Sequence, residues 1–275
     1  MSFYTSLSGL KAAQTDLGAI SNNLANVGTY GFKRSRAQFG DLFASSPTQS
    51  SKMTTGQGVR LNGVVQQFTP GTFETSEKTL DLAIAGDGFF VVRGAPPQSA
   101  VTYTRNGAFS PDAKGNVTDT IGSRLQLLPV DANGNVTSTS LSDAYDLTLP
   151  ATSPNDPNVA LANVSIGLDG LVTATFADGS TQKLGKVALA SFPAVEGLKP
   201  IGDAHWQATG DSGTAVINAA TTGSLGSIRS GALERANVDV TEELVALISA
   251  QRNFQANAKA IETAKNMTQA VMNIN

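Results

Sequence analysis

No cysteine occurs among the 275 residues. Disulfides, thiolate metal centres and cysteine nucleophiles are therefore excluded, and the fold is indifferent to redox state. Histidine is almost as scarce. His205 is the only one, so a single chain cannot build a two-histidine zinc site. Beside Trp206, it reads as a structural or surface side chain rather than a base. Charge is thin as well, at 15% of residues against about 25% in an average globular domain. The net charge is −3, and the densest basic cluster is only Lys33, Arg34 and Arg36. Nucleic-acid binding, which needs many phosphates neutralised, is not expected. No run of 18 apolar residues is present, so no membrane-inserting helix is expected. The opening MSFYTSLSGLKAAQTDL lacks a cationic start followed by an apolar block and does not read as a cleaved signal peptide.

What the chain does contain differs between its ends and its middle. Phe3, Leu10, Leu17 and Leu24 repeat every seven residues, Ala13, Ile20 and Val27 fill the neighbouring row, and Leu7 lies beside them. These are the a and d positions of a heptad. Gly9 and Gly18 each weaken such a helix by about 1 kcal/mol, so it depends on a partner for its order. The segment NVGTYG (26–31) supplies the stop. At the other end Asp239 and Glu242 have the spacing of a capping box. The stripe Val240, Leu247, Ala250, Phe254, Ile261, Ala264 and Val271 then predicts one helix over about 240–273, free of Gly and Pro.

The interior, 59–230, reads as β. LDLAI (80–84), GFFVVRG (88–94), LVTATF (171–176) and VALASF (187–192) are strand-like. Asn106-Gly107, Asn133-Gly134, Asp169-Gly170 and Asp178-Gly179 are hairpin signals. Residues 44–58 are almost devoid of apolar side chains and read as a polar linker. The predicted order is 1–43 with an N-terminal helix, 44–58 linker, 59–230 β domain, and 231–275 C-terminal helix. The fold class is mainly β with terminal α-helices, the two helices pairing as a coiled coil. Terminal stripes of this quality serve either as core on the β domain or as seams between copies.

No active site emerges. Gly86-Asp87-Gly88 lacks a third glycine and leads into a strand, unlike a dinucleotide loop. Asp112, Asp131, Asn133, Asp169 and Asp178 sit in glycine turns without the terminal glutamate of a calcium loop, and are read as turn residues. Asp239, Glu242 and Glu243 complement a helix dipole. Neither a metal nor a cofactor is expected.

SNNLANVGTYGFKRSRAQFGDLF (21–43), with Asn22, Asn23, Asn26, Gly31, Phe32 and Lys33, resembles the N-terminal signature of the flagellar rod and hook family. ALERANVDVTEELVALISAQRNFQANAKAIETAKNM (232–267) is similar to that family's closing signature. LDLAIAGDGFFVV and YTRNGAFSPDAKGNV resemble its β domain. The resemblance implies a structural, non-enzymatic subunit exported through the flagellum's own type III channel without a cleaved signal, and extracellular when assembled. It implies a helical homopolymer with terminal helices on the inner wall. It also implies distal rod, hook cap, hook–filament junction and export-apparatus partners.

Phe3, Leu7, Leu10, Leu17, Ile20, Leu24, Val240, Leu247, Phe254, Ile261 and Val271 are then the expected assembly seam. Within the family the opening segment, 63–84 and 176–213 resemble the hook branch, in a compact form. Residues 130–165 are a candidate remnant of an outer domain. Short length and the 44–58 segment point instead to the distal rod branch. A reading from another class is a secreted β-rich adhesin or binding module, which would fold and bind without its helices. In the hook reading 44–58 is a compliant joint.

Overall fold

A computed structural model describes residues 2–43, 56–95, 99–153, 156 and 158–272. The chain divides into two compact units. One comprises Met1–Val27, Lys33–Gln67 and Val238–Asn275; the other comprises Gly28–Phe32 and Phe68–Asn237.

The first unit is built from the chain ends. Helix α1 spans Ser2–Ala25 and helix α2 spans Val240–Met272. They lie against each other in antiparallel sense. A side chain at Gly9 would meet Asn257, while Asn23 bonds Glu243 fourteen residues further along. Ala13, Ile20 and Ala250 are the fully buried apolar residues of the pair. The helix contact is thus established; the heptad coiled coil remains a proposal.

Asp239 caps α2 as expected, its Oδ1 accepting from the amides of Thr241 (2.7 Å) and Glu242 (3.0 Å). The reciprocal half of the capping box is replaced. Glu242 Oε1 instead accepts from Arg34 Nη1 at 3.1 Å, because a nearby guanidinium is a stronger partner than a backbone amide. The remainder of this unit is an antiparallel ribbon, β1 (Ser35–Phe43) and β2 (Gly56–Gln66), with a register shift at Asn62.

This ribbon moves the expected boundaries. Residues 44–55 of the anticipated linker lie outside the described residues, but 56–58 already belong to β2, and 59–67 go with the helices rather than the β domain. Residues 28–32 and 231–237 belong to the β unit. The cause is cross-strand pairing: Ser35 to Phe43 read as part of a signature, yet they find strand partners in 56–66.

The second unit is organised around one large antiparallel sheet. In spatial order, its main path runs Leu161–Ile166, Leu171–Phe176, Thr181–Val187, Arg124–Leu128, Phe89–Arg93, Val101–Thr104, His205–Gln207 and Lys199–Gly202. Both faces of its centre are covered. Alternate residues point to opposite faces. Phe90, Val92, Leu125, Leu127, Val187 and Leu189 therefore enter one core with Ile84, Val172 and Ile228. Phe89, Val91, Ala188 and Ala190 enter another with Trp206, Phe192 and Tyr103. The uninterrupted apolar run at 89–92 is explained by this two-sided burial.

Asp169-Gly170 and Asp178-Gly179 make the hairpin turns expected of them, and Asn133-Gly134 turns between the bridged residues Val130 and Val136. Asn106-Gly107 does not make a hairpin. The Gly107 carbonyl accepts from the Leu82 amide, so the chain continues past a different strand. VALASF is divided: Val187 ends one strand and Leu189–Ser191 forms the next. Residues 130–165 lie inside this unit, contributing Leu147, Ala144 and Val164 to its cores.

Candidate assembly site

The two end signatures meet in each unit. In the helical unit, Asn23 is 1% exposed and clamps Ser35 in both directions. Its Nδ2 donates to the Ser35 carbonyl (2.9 Å) and its Oδ1 accepts from the Ser35 amide (2.8 Å). The same Nδ2 lies 3.3 Å from Glu243 Oε2. Arg34 Nε sits 2.6 Å from Glu243 Oε1 in a charge contact, with Glu243 itself 1% exposed. Asn26 closes α1, its amide and its Nδ2 both donating to the Asn22 carbonyl. Asn22 is exposed and Lys33 is fully buried.

In the β unit, Gly31 has φ +69°, and a Cβ there would lie 2.5 Å from the backbone of Arg105 and Asn106. Only glycine fits. Its amide donates to the Glu234 carbonyl at 2.8 Å, and the half-buried Phe32 turns back to Thr29. The Glu234 carboxylate is buried and pairs with buried Arg105 at 3.2 Å. It also accepts from the Gly71 amide at 2.9 Å. Burial pulls the Arg105 guanidinium below its ordinary pKa, and Glu234 pushes back. His205 is buried too, with Nε2 2.8 Å from Asp119 Oδ2 and Nδ1 2.8 Å from the Asp203 carbonyl. Each of these polar groups ties elements together. Among the described residues no group of three His, Asp or Glu side chains converges to hold a metal ion.

The apolar positions fall into two sets. Ile20 is buried, and Leu7, Leu10, Leu17, Leu24, Leu247, Phe254 and Ile261 are half-buried within the helical unit. Phe3 (45%) and Val240 (42%) are exposed, and the Val271 side chain lies outside the described residues. A second set was missed from the sequence. On α2, Leu244, Val245 and Ile248 are 43%, 61% and 50% exposed, and with Val240 they follow i, i+4, i+5, i+8 spacing. That spacing is one helical face, a signal present in the sequence but masked by the longer heptad row. Tyr4 joins Phe3, and Phe39, Leu42, Phe43, Leu61 and Val64 expose apolar surface on the ribbon.

Comparison with known proteins agrees with this arrangement of ends and middle. Residues 3–33 match the family model described as flagella basal body rod protein. Residues 83–174 match the flagellar hook protein FlgE/F/G D1 domain, and 229–274 match the flagellar basal body rod FlgEFG protein C-terminal model. The flagellar basal-body rod protein FlgG of Bacillus subtilis is 33% identical over 284 residues, covering 99% of this chain and 98% of its own. FlgG of Buchnera aphidicola is 34% identical over 281 residues, with 98% and 97% covered. The flagellar hook protein FlgE of Escherichia coli is 28% identical over 410 residues, with both chains covered throughout. Since this chain has 275 residues, that hook relative carries a long stretch which the present compact form lacks. The chain belongs to the flagellar hook and basal-body rod family, whose members are structural subunits of the flagellar axial structure rather than enzymes.

Proposed function

We propose that this protein is a compact hook subunit that polymerises into a helical tube and serves as a flexible joint between rod and filament. The exposed apolar face of α2 at Val240, Leu244, Val245 and Ile248, together with Phe3 and Tyr4, carries the reading. A chain that leaves such side chains in water gains by burying them against copies of itself, at about 25 cal/mol per Å². A contact between unlike surfaces propagates into an open helical assembly when its rotation does not close. The half-buried row through Leu10, Leu17, Leu247, Phe254 and Ile261 holds α1 to α2 as a coiled coil. The resulting pair presents the outer face to its neighbours along the inner wall. The tube's neighbours are distal rod, hook cap and junction proteins, reached after export, and the assembled protein is extracellular.

Val245→Asp and Ile248→Asp test the proposal. Both positions are exposed in the single chain, so the monomer should keep its wild-type melting behaviour. Each variant would bury a carboxylate in the seam, so tubes should fail to form. Sedimentation and electron microscopy of concentrated protein read the outcome. Normal tubes from both variants would remove this face from the seam.

A distal rod subunit is the second reading. It is favoured by length, since the rod relatives align end to end with few unmatched residues. Tube shape separates the two: curved wild-type tubes support the hook, straight ones the rod. Shortening 44–58 by about seven residues should alter curvature if that segment is the joint.

A further inference from the structure

Three Asn-Gly steps occur in the chain, at Asn62-Gly63, Asn106-Gly107 and Asn133-Gly134. The geometry points to Asn133 as a site of spontaneous, enzyme-free deamidation, and to the other two as protected. The reaction is intramolecular. The Gly134 backbone nitrogen attacks the Asn133 side-chain carbonyl carbon and loses its proton. A C–N bond forms, and the side-chain nitrogen leaves as ammonia. Water then opens the cyclic imide at either carbonyl, giving aspartate or isoaspartate. Glycine lets this happen because it lacks a Cβ to obstruct the approach and widens the accessible dihedrals.

The three surroundings differ in what the attack must overcome. Asn106 is 8% exposed, and its Oδ1 accepts from the Ala108 amide at 3.1 Å. Gly107 is wedged so tightly that a Cβ would lie 1.7 Å from the Leu82 carbonyl oxygen, whose own amide bonds the Gly107 carbonyl. That backbone has no room to swing. Asn62 is exposed but lies in β2 between the cross-strand-paired residues Leu61 and Gly63. Its Oδ1 accepts from Arg60 Nε at 3.3 Å. Asn133 itself is exposed, next to the buried Gly134, and its side-chain amide carries no hydrogen bond among the described residues. The Gly134 amide donates to the Asp131 carbonyl at 3.0 Å and also reaches the Asp131 carboxylate, so the attack must release it from a single residue, Asp131. Gly134 already has φ +91°.

The fold supplies its own control. Residues 131–137 (DANGNVT) repeat 112–118 (DAKGNVT), and the two turns share their internal closing bonds. In each, the aspartate Oδ1 accepts from the amides two and four residues on. The glycine amide donates to the aspartate carbonyl, and the closing threonine hydroxyl reaches back eight residues. The earlier turn carries Lys114 where the later carries Asn133. Asn133→Lys is therefore a substitution this turn is known to hold.

The full chain, aged at mildly alkaline pH and mapped by peptide mass spectrometry with isoaspartate detection, gives the test. Asn133 should convert at least about tenfold faster than Asn62 or Asn106. In denaturant the three rates should draw together, because structure and not sequence sets the order. Asn133→Lys should keep the melting profile while losing the early acidic shift on isoelectric focusing. Conversion of Asn62 or Asn106 as fast as Asn133 would overturn the assignment. So would an inert Asn133 in a chain whose free 129–137 peptide converts, or an undiminished acidic shift in Asn133→Lys.

Discussion

Glu234→Ala is the sharpest test of what holds the β unit together. Glu234 and Arg105 are 1% and 3% exposed, and their ion pair spans 3.2 Å. Truncation strands the guanidinium in a dry site and strips the Gly71 amide of its acceptor. Removing one partner of a buried pair costs about 3–5 kcal/mol. An orphaned amide costs about 1–3 kcal/mol, but the cavity left behind admits water to both groups, so the two do not add in full. A loss of about 4 kcal/mol is expected. With a urea m-value of about 2–3 kcal/mol/M, the midpoint should fall by roughly 1.5–2 M. Trp206 is the chain's only tryptophan and is 1% exposed in the β unit, so its emission isolates this unit's transition from that of the helices. A midpoint within about 0.3 M of wild type, below 1 kcal/mol on that m-value, would refute the reasoning. The double variant Arg105→Met with Glu234→Leu should lose less than Glu234→Ala alone, because no charge is left buried and unpaired.

Gly18→Ala should stabilise α1 by about 1 kcal/mol, since nothing lies within 4 Å of the added methyl, and amide hydrogen exchange along α1 reads the gain. His205→Leu takes the partner from Asp119 Oδ2 while Oδ1 keeps the amides of Ile121 and Ser123, so it should lower the Trp206 urea midpoint by less than Glu234→Ala; an unchanged midpoint would show that the pair is dispensable. Burial pushes the Asp146 carboxyl upward, but hydrogen bonds from Gln126 and Arg124 outweigh it and hold its pKa below the ordinary value; Asp169, held by Lys186, behaves alike. A depressed folded-state pKa gives stability that is complete above the unfolded value of about 3.9 and is lost as pH falls through the folded one. Urea midpoints should therefore hold steady down to about pH 5 and decline below pH 4, with a shallower decline in Asp146→Asn.

The helices were legible because their heptad rows and the Asp239 cap are local signals, and the hairpins at 166–171 and 176–181 because Asp-Gly turns are local too. Ser35 to Phe43 escaped notice because their partners lie some twenty residues away, across a polar segment. Likewise, nothing near Arg105 or Glu234 says that they will meet across a sequence separation of 129. The row of half-buried apolar residues along α1 and α2 follows the heptad spacing and is plain in the sequence. The outward face at Val240, Leu244, Val245 and Ile248 is short and sits beside charged Glu242 and Glu243, which blurs its periodicity.

Joining the first and last helices also sets an order of folding. Asn23 and Glu243 are 220 residues apart in sequence. Closing a loop of that length from an open chain costs about 5 kcal/mol in entropy. Once the β unit has formed, the Gly31 amide is already bonded to the Glu234 carbonyl. The remaining loop is then only about 17 residues and its closure costs about 2.5 kcal/mol. The helical unit is thus the latecomer. Before residues beyond 240 join it, α1 can pack only on the ribbon of β1 and β2, and the part of its apolar row that faces α2 stays uncovered. The α2 segment therefore acts as the closing piece of the helical unit, the one whose arrival covers the α2-facing row of α1.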